Sequence, residues 1–234
     1  MNLEQKEEPP SLMTSKQKSE IRILMMTAVA AERDAVLRGL NGDRRFDVVA
    51  AGVGSVAAAV RTTRALLSAN DYSLVICAGI GGGFSGRTEV GSLVVANEII
   101  AADLGAETLE GFCSVDELGF GFSHIQPDAS KVERLTKALL MAKLPVITGP
   151  VLTVSTVTGT AASADELAAR VPGAAAEAME GYGVGCAALD RGLPVLEVRA
   201  ISNMVGPRDR SAWRIQEALD VLEAASSVLM EVFL

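Results

Sequence analysis

The 234 residues hold only one imidazole and three thiols. Cys77, Cys113 and Cys186 lie far apart with no C-x-x-C spacing. Neither a zinc site nor a disulfide framework is indicated, and a reducing cytoplasm suits such a set. One His cannot complete a metal site by itself. Basic clusters are missing too. Twenty-one Lys and Arg against 29 Asp and Glu give a formal charge of −8, with no Lys/Arg block, so nucleic acid and anionic membrane are not the expected partners. Residues 144–164 are the longest uncharged stretch, but Pro145, Pro150 and repeated Thr make them a poor membrane helix. Residues 1–20 mix Glu and Lys without an apolar core or cleavage-like pattern, and read as a polar, flexible tail, not a signal peptide. No G-x-S-x-G elbow accompanies His124, which removes a hydrolase triad, and no tandem repeat is visible.

What is present is the composition of a folded α/β protein: 49% hydrophobic and 21% charged residues, enough to bury a sizeable core. The length favours one domain, residues 21–234. From Ile21 short apolar runs alternate with helical stretches, which predicts a single-domain, mixed but mostly parallel central sheet flanked by helices. Strands are expected at 23–27, 46–51, 74–78, 93–99, 151–155 and 195–201. Helices are expected at 30–40, 56–68, after Pro127, from Ser163 (a capping box with Glu166) and at 180–190. The amphipathic positions Ile215, Ala218, Leu219, Leu222, Ala225, Leu229 and Val232 add a last helix that seals one face of the sheet. Residues 105–127 read as a long loop.

Gly52, Gly54 and Ala57 give G-x-G-x-x-A, but after the second strand, with Asp71 misplaced for a dinucleotide site. Close helix packing is the plainer meaning, and no cofactor is called for. Residues 79–83, nearly all Gly, follow a strand, so their N–H groups are expected at the carboxyl edge of the sheet, where open α/β folds bind ligands; a tight turn is the bland alternative. Glu32, Glu180 and Asn203 each follow a strand-like run and would meet at that same edge. Separately, the two Glu are ordinary helix N-terminal residues; together with the Gly segment they form a polar cluster.

Five segments occur in the order found in the nucleoside phosphorylase and methylthioadenosine nucleosidase superfamily: Thr27-Ala28-Val29-Ala30-Ala31-Glu32, Ala51-Gly52-Val53-Gly54, Cys77-Ala78-Gly79-Ile80-Gly81-Gly82, Ala178-Met179-Glu180 and Arg199-Ala200-Ile201-Ser202-Asn203. The chain resembles that superfamily over roughly residues 21–234. Segments 101–107, 118–121 and 203–210 narrow the likeness to a branch that hydrolyses a hypoxanthine nucleoside with an extended 5′ substituent. The resemblance implies N-ribosyl hydrolysis through an oxocarbenium-like centre. Matched by position, Glu32 would activate the water with Arg199 helping to hold it, and Glu180 would accept the ribose hydroxyls. Met179 would pack on sugar or base. The backbone of Gly79, Ile80, Gly81 and Gly82 would line the ribose. Asn203 would face the purine, with the backbone near Val157 and Thr158 as the other base reader. Phe120 and Phe122 would meet the 5′ tail, with His124 or Arg208 at its carboxylate, this loop coming from a neighbouring subunit of a homodimer or higher homo-oligomer.

Chemistry is consistent with those roles. A carboxylate at Glu32 can take a proton from water and stabilise developing positive charge. An acceptor-only carboxylate at Glu180 suits two hydroxyl donors. Adenine-cleaving members have Asp where Asn203 stands; an amide can donate to a 6-oxo group and accept from N7–H, which favours hypoxanthine but leaves the leaving-group acid unassigned. Ala178 stands where those enzymes often carry a second acid, so no role passes to it. Three rivals follow. A purine nucleoside phosphorylase would need a cationic anion site, which neither the first loop, Ala30-Ala31-Glu32, nor residues 79–83 offer. An adenine-specific nucleosidase would prefer Asp at 203. A non-catalytic nucleoside sensor would have no use for both Glu32 and Glu180.

Overall fold

The computed structural model describes residues 21–69 and 71–233; the predicted polar tail, 1–20, lies outside them. Ten strands and six helices follow one another as β1 (Ile23–Thr27), α1 (Ala30–Leu40), β2 (Phe46–Ala50), α2 (Ser55–Ser68), β3 (Leu74–Gly83), β4 (Leu93–Ala101), β5 (Gly105–Thr108), β6 (Gly111–Ser114), β7 (His124–Ile125), α3 (Ala129–Met141), β8 (Val146–Thr153), α4 (Ala161–Arg170), β9 (Ala176–Ala178), α5 (Gly181–Asp190), β10 (Val195–Met204) and α6 (Ile215–Val232). None of these helices is long and apolar enough to cross a membrane.

The main sheet runs β10-β4-β8-β9-β3-β1-β2, and a further pairing of β10 with β3 closes its larger part on itself. Pairings of β1 with β2 and β3, β3 with β10, β4 with β8 and β8 with β9 are parallel; those of β10 with β4, β3 with β9 and β4 with β7 are antiparallel. The mixed, mostly parallel sheet expected from the alternation is therefore the observed one. Apolar side chains fill both faces. One core gathers Ile23, Met25, Ile76, Val95 and Leu196 beneath α1, α3 and α6, whose Ala218, Leu222, Ala225 and Leu229 point inward as their spacing predicts. A second packs Leu24, Val75, Val94 and Val151 against α2 and α5.

Two expectations are corrected. The Gly-rich segment 79–83 is not a turn after a short strand; β3 continues through it, because β10 pairs with it along its length and β9 joins at Gly82 and Gly83. The 105–127 segment is not one loop. It holds the β5–β6 hairpin, closed by Thr108 Oγ1 donating to the Gly111 carbonyl at 2.8 Å, and the short strand β7. A smaller shift concerns α4: Thr160, not Ser163, caps it, its hydroxyl accepting from the Ser163 N–H.

The changing partnership of β3 creates the opening for a site. Its first half lies beside β1 as far as the Met26–Cys77 pair, and its last two residues lie beside β9. Between these pairings one edge of β3 faces no strand, the divergence at which α/β sheets bind ligands.

Candidate active site

Glu32 fills that gap. It is the third residue of α1, where the first N–H groups of a helix lack partners, and its carboxylate reaches back to the N-cap: Oε2 accepts from Val29 N at 3.1 Å and Ala28 N at 2.8 Å. Oε1 then crosses to the sheet and accepts from Ile80 N at 2.9 Å, an N–H that β1 no longer pairs. Both oxygens are thus fixed, while Oε1 keeps a second acceptor position. Gly79 makes this approach possible, since a Cβ there would stand 2.7 Å from Glu32 Oε1 and 2.9 Å from Arg199 Nη1.

Beneath this level Arg199 on β10 is 1% exposed. Its Nε donates to Glu197 Oε1 at 2.8 Å, Nη1 lies 3.2 Å from Glu180 Oε2, and Nη2 contacts Cys77 Sγ at 3.2 Å. Burial works against the Arg199 charge, but Cys77, Glu197, Glu180 and Glu32 outweigh it and hold the guanidinium well above its ordinary pKa. Burial pushes the Cys77 thiol up, so it is a neutral contact and no nucleophile. Glu197 shares the inward face of β10 with Arg199, two residues away, and burial raises its pKa against the pull of that cation. Glu180 is the N-cap of α5; besides Arg199 it accepts Gly54 N at 3.1 Å through Oε1. Gly54, at φ 96°, brings the Gly52–Gly54 turn into the site, so this motif does more than pack α2 against the sheet.

These groups surround a cavity of about 310 Å³ lined by Glu32, Ile80, Gly81, Gly82, Val157, Thr158, Met179, Glu180 and Asn203, together with Val53, Glu177 and Trp213. Larger hollows of about 420 and 480 Å³ flank α3 without such a convergence of polar groups. The Asn203 amide is oriented by its own strand, Oδ1 accepting from Ser202 Oγ at 2.8 Å and Nδ2 donating to the Met204 carbonyl at 3.0 Å. One N–H and one lone pair of that amide stay unused. The meeting of Glu32, Glu180 and Asn203 at one sheet edge is thus as expected. Arg199, by contrast, is not on the cavity wall; it stands behind Glu180.

Phe120, Phe122, His124 and Arg208 are not on the cavity wall. His124 bonds Glu98 through Nδ1 at 2.8 Å and lines a separate cavity with Phe112 and Arg170. Phe120 is exposed, and the Phe122 ring lies 6.1 Å from that of Tyr182, whose hydroxyl donates to the Phe122 carbonyl. Tyr182 lies in the first turn of α5, so its hydroxyl ties this loop to that helix. Arg208 stacks 5.1 Å over Trp213 and donates its backbone N–H to the Gly159 carbonyl, which places it beside the Val157–Trp213 end. Glu177 and Trp213 escaped the sequence. An acid within an alanine strand is the one signal that pointed to Glu177; nothing marked Trp213.

A family model described as the phosphorylase superfamily matches residues 28–234. The chain is 50% identical over 231 residues to the futalosine hydrolase of Streptomyces coelicolor, covering 91% of this chain and 96% of that protein. It is 47% identical over 222 residues to the futalosine hydrolase of Acidothermus cellulolyticus, covering 89% and 90%. The chain belongs to the futalosine hydrolase family of the phosphorylase superfamily. The solved futalosine hydrolase of Helicobacter pylori shares the fold with a TM-score of 0.76 at 15% identity, covering 92% of this chain and 97% of that one. Membership in the family agrees with the ordered motifs.

Proposed function

We propose that this protein hydrolyses the N-ribosidic bond of futalosine, releasing hypoxanthine and dehypoxanthine futalosine within a menaquinone-forming route. The observation that carries hydrolysis, and not phosphorolysis, is the charge of the cavity wall: Glu32, Glu177 and Glu180 line it and, among the described residues, no Lys or Arg does. The one buried cation beneath, Arg199, is engaged by Glu180 and Glu197. A phosphate ion would meet carboxylates, whereas a water molecule meets a fixed acceptor.

The free lone pair of Glu32 Oε1 holds the water on one face of C1′. As the C1′–N9 bond lengthens, its electrons pass to the purine and positive charge grows on the sugar, stabilised by Glu32 and Glu180. Water oxygen bonds to C1′, its proton goes to Glu32, and the departing purine takes a proton at N7 from solvent, the N7–H then being accepted by the Asn203 carbonyl oxygen. Arg199 acts through Glu180, fixing the acceptor for the ribose hydroxyls. Met179 packs on the sugar. The Asn203 amide satisfies the O6 and N7 edge of a 6-oxopurine, which disfavours a methylthioadenosine-type substrate. A cytoplasmic location is supported by three free cysteines. An apolar, exposed face on α2, Val56, Val60 and Leu67, supports a homo-oligomer.

Incubation with futalosine, inosine and methylthioadenosine in phosphate-free buffer, followed by product analysis, tests this function. Hypoxanthine released from futalosine without phosphate is expected. A requirement for phosphate, or adenine release as the faster reaction, would overturn it.

A further inference from the structure

The reaction above gives Glu177 no part, yet few side chains are placed at greater cost. Glu177 is 4% exposed on β9, flanked by Ala174, Ala175, Ala176 and Ala178, and no Lys, Arg or His among the described residues pairs with it. Its partners all belong to Thr158: Oε1 accepts the Thr158 N–H at 2.9 Å and Oε2 accepts the Thr158 hydroxyl. Each carboxylate oxygen can take two donors, so one position on each is left over beside the cavity that Glu177 lines. A buried carboxylate with half its acceptors idle calls for a donor from outside.

Strand register says where that donor belongs. Gly82 of β3 is paired with Glu177 of β9 on one side and with Asn203 of β10 on the other. The two polar side chains therefore flank a residue with none, about 10 Å apart at the backbone if each strand spacing is about 4.8 Å. Both line the same cavity. A flat purine held with its O6 and N7 edge at Asn203 turns its next edge atom, N1, toward Glu177.

We propose that Glu177 is a second base-reading residue, accepting the N1–H of a 6-oxopurine while Asn203 holds O6 and N7. The assignment rests on the nucleoside reading above and deepens it. In a 6-oxopurine N1 carries hydrogen; in a 6-aminopurine N1 presents a lone pair. An ionised Glu177 attracts the first and repels the second, so it selects by rejection as well as by fit. Burial holds the Glu177 carboxyl above its ordinary range while the Thr158 bonds pull it down, and an N1–H adds a bond to the charged form. The structural alternative is a clamp that ties residues 157–158 to β9. A clamp would be indifferent to N1.

Glu177→Gln separates the two, since Gln can still accept from Thr158 but presents an NH₂ donor to the cavity. We would compare kcat/KM in both proteins for two nucleosides alike in sugar and 5′ chain, one carrying hypoxanthine and the other adenine. The expected result is a fall of about tenfold or more in the hypoxanthine-to-adenine preference. An unchanged ratio, whether both activities fall together or neither moves, would overturn the assignment in favour of the clamp. Calorimetric binding of free hypoxanthine and free adenine to both proteins gives a readout that does not depend on catalysis. If the wild-type protein cleaved neither nucleoside, the hydrolase function would fail, and these base affinities would still decide Glu177: a preference for hypoxanthine that Gln abolishes supports it, and one that Gln leaves intact overturns it.

Discussion

Three backbone N–H groups hold the Glu32 carboxylate, so its position is set by α1 and β3 and not by substrate. Glu32→Gln keeps the shape and removes the base. Turnover is expected to fall by about 10²-fold or more with KM little changed, because the partner of Glu32 is water. The amide must also point its NH₂ at one of the three donors, at about 1–3 kcal/mol, so kcat belongs well below the melting transition. Near-normal turnover there would remove Glu32 from the chemistry. Glu177 adds a pH-dependent term to stability. Burial raises its pKa above 4.5, so the folded chain binds that proton more tightly than the unfolded one. The stabilisation this provides is complete below 4.5 and is lost as pH rises through the folded pKa. Glu177→Gln should therefore gain in Tm relative to the wild type as pH climbs from about 4 to 7, the difference vanishing in acid. A variant that instead loses ground toward neutral pH would show the carboxylate to be stabilising. Much of this site was legible because Glu32, Glu180 and Asn203 sit beside strands of recognisable pattern. Glu177 was not, since its place opposite Asn203 depends on how β9 and β10 register on Gly82, a relation between segments that no local pattern records.

Strands β1 and β2 and helices α1, α2 and α6 follow their periodicity to within a residue, as segments whose apolar faces are decided locally do. Gly79–Gly83 defied that logic. Glycine weakens an isolated strand, but here the hydrogen bonds of β10 and β9 outweigh propensity and the absence of side chains is what the site uses. Gly79→Ala probes the element directly. The added Cβ would press on the ends of Glu32 and Arg199, both side chains, so the strand can persist while the carboxylate moves. Overpacking of this kind costs about 1–3 kcal/mol, whereas a displacement near 1 Å at a reacting group can cost about 10²-fold in rate. A large fall in kcat with a modest fall in Tm is expected. Equal activity in a folded Gly79→Ala variant would mean that Glu32 has room the structure does not show.

At the scale of the molecule, one side of the site is thinly walled. Val53 lines the cavity and is exposed, and immediately after it α2 turns Val56, 80% exposed, and Val60 outward at helical spacing. Tyr182, just past Glu180, holds the carbonyl of Phe122, whose ring and that of Phe120 are also exposed. The exposed apolar surface of α2 and of the 120–122 loop is what a second copy of the chain would cover, and a covering copy would supply the wall that the 5′ substituent needs. Sedimentation velocity at assay concentration is expected to show a dimer or larger species. Val60→Glu, placed on the exposed face and away from every group that holds Glu32, Glu180 or Asn203, should shift that species toward monomer and lower kcat/KM for futalosine by about tenfold or more. Free hypoxanthine should bind the variant as before, because the base end is built from β3, β9 and β10 of one chain. A monomer that hydrolyses futalosine at the full rate would show that one chain closes its own site, and the exposed valines would then need another partner.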